Sequence, residues 1–228
     1  MQIQWLSHSA FKITTESHCI LIDPFLTGNP VAPRTWQQAS EGVTHILLSH
    51  GHDDHVGDTI SIASKTGAKV IGMVELMHYL DEEGVANLEM LNLGGTFDMG
   101  MGHSVKLVQA FHSTGAGPGA RYTGMPAGLV IRVPGHVIYH AGDTALFGDM
   151  ELIDALEQPT IGLLPIGGRF TMDAADAAYA VENFFHFEHI FPMHYATFPL
   201  LAPNADEFVR LLPGRNVYTP TAGDTLEF

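Results

Sequence analysis

The apolar residues in the first 22 positions follow the pattern of β-strands. Ile3 and Trp5 alternate with polar neighbours. Phe11 and Ile13 repeat this alternation, and residues 19–22 form a short apolar run. Alternation with a period of two is typical of a half-buried strand, and a short unbroken run is typical of a buried one. The chain therefore begins with a group of strands.

Strands and helices alternate in the remainder of the first half. Prolines at positions 24, 30 and 33 predict a loop after the opening strands. The pattern beyond it predicts a strand over 45–49, a helix over 58–65 that stops at Gly67, a strand over 69–72 and a helix over 74–83.

The second half has a similar rhythm, with strands first and strand–helix units afterwards. Its pattern predicts strands over 105–111, 128–133, 136–140, 161–165 and 189–193, and helices over 150–157, 174–187 and 205–212. The simplest packing for this order is an α/β fold with two sheets face to face and helices on both outer faces, a four-layer α/β/β/α sandwich. No linker or low-complexity tract divides the chain, so we expect one domain over residues 1–228.

Composition narrows the partners and the compartment. The chain has 25 acidic and 10 basic residues, a formal net charge of −15, which disfavours nucleic acid and anionic membranes as partners. Cys19 is the single cysteine, so we expect a reducing, cytoplasmic environment. Residues 1–10 lack the pattern of a signal peptide, and no apolar run reaches the roughly 18 residues of a membrane span. The 14 histidines outnumber all lysines and arginines together, which indicates a metal or acid–base site.

The densest group of metal-ligand types is the segment H-G-H-D-D-H, which contains His50, His52, Asp54 and His55. His50 and His52 are two apart and point the same way in an extended segment, so both can bind one ion. Asp54 and His55 can share an ion only if the chain turns there, and the predicted turn into the helix at Asp58 supplies that geometry. The alternative, a solvated polar loop, explains this order and density of ligand types poorly.

A catalytic metal site takes about three protein ligands and a water, so further ligands are expected elsewhere. Three residues stand at the ends of predicted strands, where side chains can reach a common sheet edge: His112, Asp143 and His194. Each alone is better explained as a hydrogen-bonded polar residue at a strand end. Together, and beside the H-x-H-x-D-H motif, they are expected to be ligands.

These residues give the whole chain a resemblance to the metallo-β-lactamase superfamily, whose most specific signature is the H-x-H-x-D-H motif. The segments WLSHSAF, ILIDPF, HAGDT and PIGGRFTM resemble metal-dependent hydrolases of that superfamily related to L-ascorbate-6-phosphate lactonase. The resemblance implies the metallo-β-lactamase fold and a binuclear site. It assigns the first ion to His50, His52 and His112, the second to Asp54, His55 and His194, and a bridging position to Asp143.

The implied cofactors are two divalent ions. All seven ligands offer nitrogen or oxygen, which suits zinc but also manganese or iron. The expected enzyme is a dinuclear metal-dependent hydrolase that uses a metal-bound hydroxide on a small, anionic ester, lactone or phosphoester. Asp54 is the expected catalytic residue, because it can orient the nucleophile and move a proton. We also expect a small-molecule substrate and a homo-oligomer.

Other pocket residues are weaker candidates, each with a plain alternative. Asp23 could accept a hydrogen bond from a ligand histidine or be an ordinary turn residue, and His8 could face the pocket or solvent. The glycine-rich segment 113–124 could be a lid that brings Arg121 or Tyr122 to the substrate, or a flexible loop. Arg169 and Thr171 could bind an anionic group, although a surface role suits Arg169 better. Eight other histidines are interpreted as structural or surface residues: His18, His45, His78, His103, His136, His140, His186 and His189. The group Phe184, Phe185 and Phe187 is interpreted as helix core.

Three other functions are compatible with parts of this pattern. A nuclease of the same superfamily is disfavoured by the acidic charge and by the absence of a basic arm. A diiron protein that reduces oxygen or nitric oxide is disfavoured because His52 stands where such relatives have Glu, and because no flavin domain follows. A non-catalytic metal-dependent binding protein is disfavoured by the seven intact ligands.

Overall fold

A computed structural model describes residues 1–228, which form two compact units. The first unit comprises Met1–Gly95, Ser113–Pro126 and Pro220–Phe228, and the second comprises Thr96–His112 and Ala127–Thr219. The expectation of a single domain over residues 1–228 stays a prediction. No helix is both long and apolar enough to cross a membrane.

The first unit contains a seven-stranded mixed sheet with the order β13-β1-β2-β3-β4-β5-β6. Its strands are β1 (Gln2–Trp5), β2 (Phe11–Thr14), β3 (Cys19–Ile22), β4 (His45–Leu47), β5 (Lys69–Met73), β6 (Leu88–Leu91) and β13 (Thr225–Glu227). The pairs from β13 to β3 are antiparallel, and those from β3 to β6 are parallel. The metal-ligand motif follows β4, a central strand of the parallel part.

Four helices belong to the first unit: α1 (Trp36–Ala39), α2 (Asp53–Val56), α3 (Thr59–Thr66) and α4 (Val74–Glu82). The predicted helix over 58–65 corresponds to α3, and its predicted stop at Gly67 is confirmed by a left-handed C-cap with φ of 69°. The sequence suggested that the turn at the ligand motif leads directly into that helix, and the structure differs on this point. The turn is the separate one-turn helix α2, which begins directly after His52.

The second unit contains a six-stranded mixed sheet with the order β12-β11-β10-β9-β8-β7. Its strands are β7 (Thr96–Gly100), β8 (His103–Gln109), β9 (Ala127–Val133), β10 (His136–His140), β11 (Ile161–Pro165) and β12 (His189–Met193). Strands β7 to β10 pair antiparallel and β10 to β12 pair parallel. Because β8, β10 and β12 run the same way, their carboxyl ends lie at one edge of this sheet.

The helices of the second unit are α5 (Met150–Glu157), α6 (Ala174–Asn183) and α7 (Asp206–Leu211). The helix predicted over 174–187 ends four residues early, so the interpretation of the three phenylalanines as helix core is wrong in one respect. Phe185 and Phe187 are buried but lie beyond the helix. Their rings stack on each other at 4.4 Å, and Phe185 stacks on Tyr139 at 5.2 Å. The aromatic stack thus lies just beyond the end of the helix.

A partly buried ion-pair network connects α5 to the second sheet. Glu157, at the last turn of α5, accepts from Lys106 on β8 at 2.5 Å and from Arg132 on β9 at 2.8 Å. Burial alone would raise the pKa of the Glu157 carboxyl, but the hydrogen bonds from Lys106 and Arg132 outweigh it and hold that pKa below the ordinary 4.5. The carboxylate therefore contributes to stability only while it is ionised.

This network predicts a pH-dependent loss of stability in Glu157→Gln. At pH 7 the free energy of unfolding should fall by about 1–3 kcal/mol, since hydrogen bonds to a charged group are lost. Because the folded-state pKa is lowered, the stabilisation is present above the unfolded pKa and disappears as the pH falls through the folded one. Urea unfolding of both proteins at pH 7 and near pH 3 measures the difference.

The matched control is Glu151→Gln, since Glu151 is an exposed acid on the same helix. That variant should remain close to the parent protein at both pH values. A Glu157→Gln difference that is absent at pH 7, or that keeps its size at acid pH, would contradict the role of the network.

Candidate metal centre

In the first unit, the predicted ligands lie at the end of β4 and in helix α2. His50 and His55 are buried, with exposed fractions of 1% and 0%, whereas the Asp54 side chain is 30% exposed. The Nε2 atom of His50 lies 3.0 Å from Nδ1 of His52, close enough for both nitrogens to bind one ion. Ligand atoms of His50 and His55 also lie within 4.8 Å of each other. The motif therefore gathers its donors as its spacing predicts.

A buried carboxylate, that of Asp23 at the end of β3, orients these donors. Asp23 is fully buried; it accepts from the Ser49 backbone N–H at 2.8 Å and from the Ser49 hydroxyl at 2.6 Å. It also accepts from Nδ1 of His55 at 2.7 Å. An ionised carboxylate can only accept hydrogen bonds, so His55 carries its proton on Nδ1. The lone pair of Nε2 then points away from Asp23, to the side where Asp54 lies. Of the two roles that the sequence left open for Asp23, the structure shows the hydrogen bond from a histidine of the motif.

Glycine is required between the two histidines of the H-G-H segment. A Cβ atom at Gly51 would lie 2.2 Å from the hydroxyl oxygen of Thr123. The Gly51 N–H donates to the Thr114 hydroxyl at 3.0 Å, and Thr114 is hydrogen-bonded to Thr123 at 2.8 Å. Two threonines from the segment 113–124 thus clamp the backbone that carries His50 and His52.

The segment 113–124 forms a hairpin that is held both at its base and near its tip. Near its tip, Ala116 and Arg121 pair through their backbones at 2.9 and 3.0 Å. The Arg121 guanidinium forms a two-point ion pair with Glu82 of α4. Arg121 is thereby engaged within the first unit, whereas Tyr122 is 65% exposed.

Sequence reasoning underrated His8, which lies in the turn between β1 and β2. It is completely buried, and its Nε2 atom lies 3.2 Å from Oδ2 of Asp54. Ligand-type atoms of His8, Asp54 and His55 all lie within 4.8 Å of one another. The signal in the sequence is a histidine in a tight turn between two strands, which is weak without the long-range contact.

In the second unit, the three predicted ligands lie at the common edge formed by the ends of β8, β10 and β12. Asp143 and His194 are buried, and His112 is mostly so, with a side chain 12% exposed. One carboxylate oxygen of Asp143, Oδ2, lies 3.0 Å from Nε2 of His194 and 3.5 Å from Nε2 of His112. The sequence prediction that these strand ends converge is confirmed for this unit.

The Thr144 hydroxyl and the Ala145 N–H connect the strand ends that carry His112 and Asp143. The Thr144 hydroxyl accepts from the Phe111 N–H at 3.0 Å and donates to the Ala145 carbonyl at 2.8 Å. The Ala145 N–H donates to the Phe111 carbonyl at 3.0 Å.

Beside His194, burial raises the pKa of Tyr195 to about 12, so its phenol stays protonated near neutral pH.

The remaining candidates have ordinary contacts. The Arg169 guanidinium lies 5.7 Å from the ring of its neighbour Phe170, and the Thr171 hydroxyl donates to the Met172 carbonyl at 3.1 Å. Several histidines interpreted as structural do have structural partners. His18 stacks on His45 at 5.0 Å, His186 bonds to Asp154 at 2.6 Å and His189 to Tyr218 at 3.0 Å.

Comparison with known proteins places this chain in a family. A family model described as a beta-lactamase superfamily domain matches residues 18–195. A UPF0173 metal-dependent hydrolase of Agrobacterium fabrum is 47% identical, and one of Chelativorans sp. is 45% identical; each match covers 100% of both chains. Igni18, a metallo hydrolase of the archaeon Ignicoccus hospitalis, is 32% identical with a TM-score of 0.90, covering 100% of this chain and 98% of its own.

The similarity in structure confirms the predicted α/β class and the metallo-β-lactamase fold. The relatives cover the full length of this chain, and their shared description agrees with the donor clusters of both units. The chain therefore belongs to the metallo-β-lactamase superfamily and is one of its UPF0173 metal-dependent hydrolases.

Proposed function

We propose that this hydrolase uses two divalent ions, zinc foremost, to cleave a small anionic ester, lactone or phosphoester. The proposed ligands are His50, His52 and His112 for the first ion, Asp54, His55 and His194 for the second, and Asp143 for both. The observation that carries the proposal is that each unit gathers part of this set. In the second unit, ring nitrogens of His112 and His194 lie beside one oxygen of Asp143. In the first unit, ring nitrogens of His50 and His52 lie 3.0 Å apart.

The donor chemistry fits such ions. The proposed ligands offer only imidazole nitrogen and carboxylate oxygen, which suit zinc and admit manganese or iron. Burying imidazole and carboxylate groups is unfavourable unless they are paired or bind a cation, and His50, His55, Asp143 and His194 are all buried. Asp23 supports His55 through a hydrogen bond of the kind that fixes the orientation of metal-binding histidines.

The charge of this set favours an anionic substrate. Two divalent ions bring four positive charges, against three negative charges from Asp54, Asp143 and a hydroxide, so this set keeps about one positive charge in a chain of net charge −15. When bound, the ions would acidify water and supply hydroxide near neutral pH. Asp54 is partly exposed and ionisable, so it can accept a proton and orient the attacking group.

We also propose a small-molecule substrate, a cytoplasmic location and a homo-oligomer. The single cysteine, Cys19, is a buried free thiol, which suits a reducing compartment. Apolar side chains are exposed on the second unit: Leu152 and Leu156 of α5 at 56% and 72%, and Phe111 at 54%. Exposed apolar residues of this kind support assembly with another copy.

Asp54→Asn tests the catalytic role. A panel of lactones, phosphodiesters and thioesters, assayed with zinc, manganese and iron forms, first identifies a substrate. The amide cannot accept a proton, so turnover of the variant refilled with two ions should fall at least about 10²–10⁴-fold. Turnover within a few-fold of the parent protein would exclude Asp54 as the proton carrier.

Asp23→Asn tests the support of His55 separately from catalysis. The amide keeps the size of the carboxylate but weakens its hydrogen bonds to His55 and Ser49, so one ion should bind about 10–100-fold more weakly. Zinc affinity is measured by competition with a chromophoric chelator, and Asp58→Asn is the matched control. Asp58 is another buried carboxylate of the first unit, and it accepts from the Leu26 and Thr27 backbone. Equal zinc affinities in both variants would contradict the proposed support.

A further inference from the structure

The turn between β1 and β2 has an unusual backbone. Ser7 and His8 have φ values of 82° and 52°, in the left-handed region that favours glycine. Turn positions of this kind are ordinarily filled by Gly, Asn or Asp, which adopt them at lower cost. Ser and His adopt this backbone conformation at a higher energetic cost than Gly or Asn. Their presence at two consecutive positions indicates that their side chains have a role beyond forming the turn.

The Ser7 hydroxyl and the backbone carbonyls of Ser7 and His8 have specific partners. The Ser7 hydroxyl accepts from the Asn29 side-chain amide at 2.8 Å. The Trp5 indole N–H donates to the His8 carbonyl at 3.1 Å, and the Ala10 N–H donates to the Ser7 carbonyl at 2.9 Å. These bonds hold the strained turn in one conformation, and so fix where the His8 ring points.

The His8 ring is directed at one oxygen of Asp54. Its Nε2 atom lies 3.2 Å from Oδ2, and an ionised carboxylate can only accept, so the ring nitrogen donates. The other oxygen, Oδ1, lies 4.0 Å from Nε2 of His55. Phe25 and His55 contact the His8 ring edge-on, each at 5.8 Å between centroids, and limit its rotation.

We propose that His8 is a positioning residue for Asp54: its hydrogen bond to Oδ2 fixes the carboxylate so that Oδ1 is presented beside His55 to the second ion. This inference rests on the proposed function, in which Asp54 and His55 bind that ion. It assigns His8 a role outside the ion's own ligand set, because the nitrogen that donates to Asp54 cannot at the same time bind a cation.

The experiment compares His8→Leu, which removes the donor, with His8→Gln, whose amide can restore it. Zinc binding to each protein is titrated against a chelator, and the cobalt form is examined by its visible absorption spectrum. His103→Gln is the control, since His103 is similarly buried, belongs to the second unit and hydrogen-bonds through Nδ1 to the Met101 carbonyl at 3.0 Å.

We expect His8→Leu to bind two ions, with the affinity for the second lowered about 10–100-fold. Its cobalt spectrum should shift, because the Asp54 oxygen no longer has a fixed orientation. His8→Gln should recover an affinity within a few-fold of the parent protein, and His103→Gln should match the parent throughout. In an Asp54→Asn background, His8→Leu should cause no further loss, since the two residues act as one unit.

Three results would overturn the inference. Unchanged zinc affinity and cobalt spectrum in His8→Leu would show that the hydrogen bond positions nothing. Loss of the second ion in both His8 variants would make His8 a ligand itself. If His8→Leu lowers the affinity for the second ion just as much in the Asp54→Asn background, the loss results from damage to the turn and not from the hydrogen bond to Asp54. This comparison remains valid if the His8→Leu variant is less stable than the parent protein.

The parent protein separates these results from a failure of the proposed function. If it binds no second ion, the two-ion proposal fails and this inference fails with it. If it binds two ions and the His8 variants do not differ from it, the inference alone fails.

Discussion

The geometry of the first unit depends on one buried carboxylate. Asp23 has no exposed surface, and a buried charge of this kind is stable only when its oxygens are fully engaged. Its partners are the backbone and hydroxyl of Ser49 and the imidazole of His55, so one side chain joins the end of β3 to the end of β4 and to helix α2. The orientation of His55 follows from that requirement.

The second unit reaches a similar result by different means. Its three candidate ligands follow three strands that run the same way, so sheet topology alone brings them to one edge. Thr144 then connects two of these strand ends, and Asp143 receives both histidines on a single oxygen. Where the first unit uses a local motif and a buried acid, the second uses strand order and a shared carboxylate.

The sequence predicted the parts of this site that depend on short spacing. His50 and His52 are two residues apart. His112, Asp143 and His194 stand at strand ends, which made them candidates only in combination with that motif. The His8 contact with Asp54 spans 46 residues and arises from a strained turn, which periodicity does not encode.

The fold shows the same division between local and long-range information. Most strands and helices with a clear period appear where the pattern put them, whereas β6, β7 and β13 were missed. Strand β13 is three residues long and pairs with β1, more than 220 residues away in the chain. Helix α6 ends at Asn183, before the rings of Phe185, Tyr139 and Phe187 stack, and such a tertiary interaction is not encoded in the helix pattern.

The central proposal is that the seven candidate ligands bind two ions and that both ions share Asp143. Anomalous diffraction at the zinc edge, from crystals of the zinc-loaded protein, tests it most directly. The account predicts two strong peaks per chain, one bound by His50, His52 and His112, the other by Asp54, His55 and His194, and both in contact with Asp143. A single peak, or ions bound by the residues of one unit only, would contradict it.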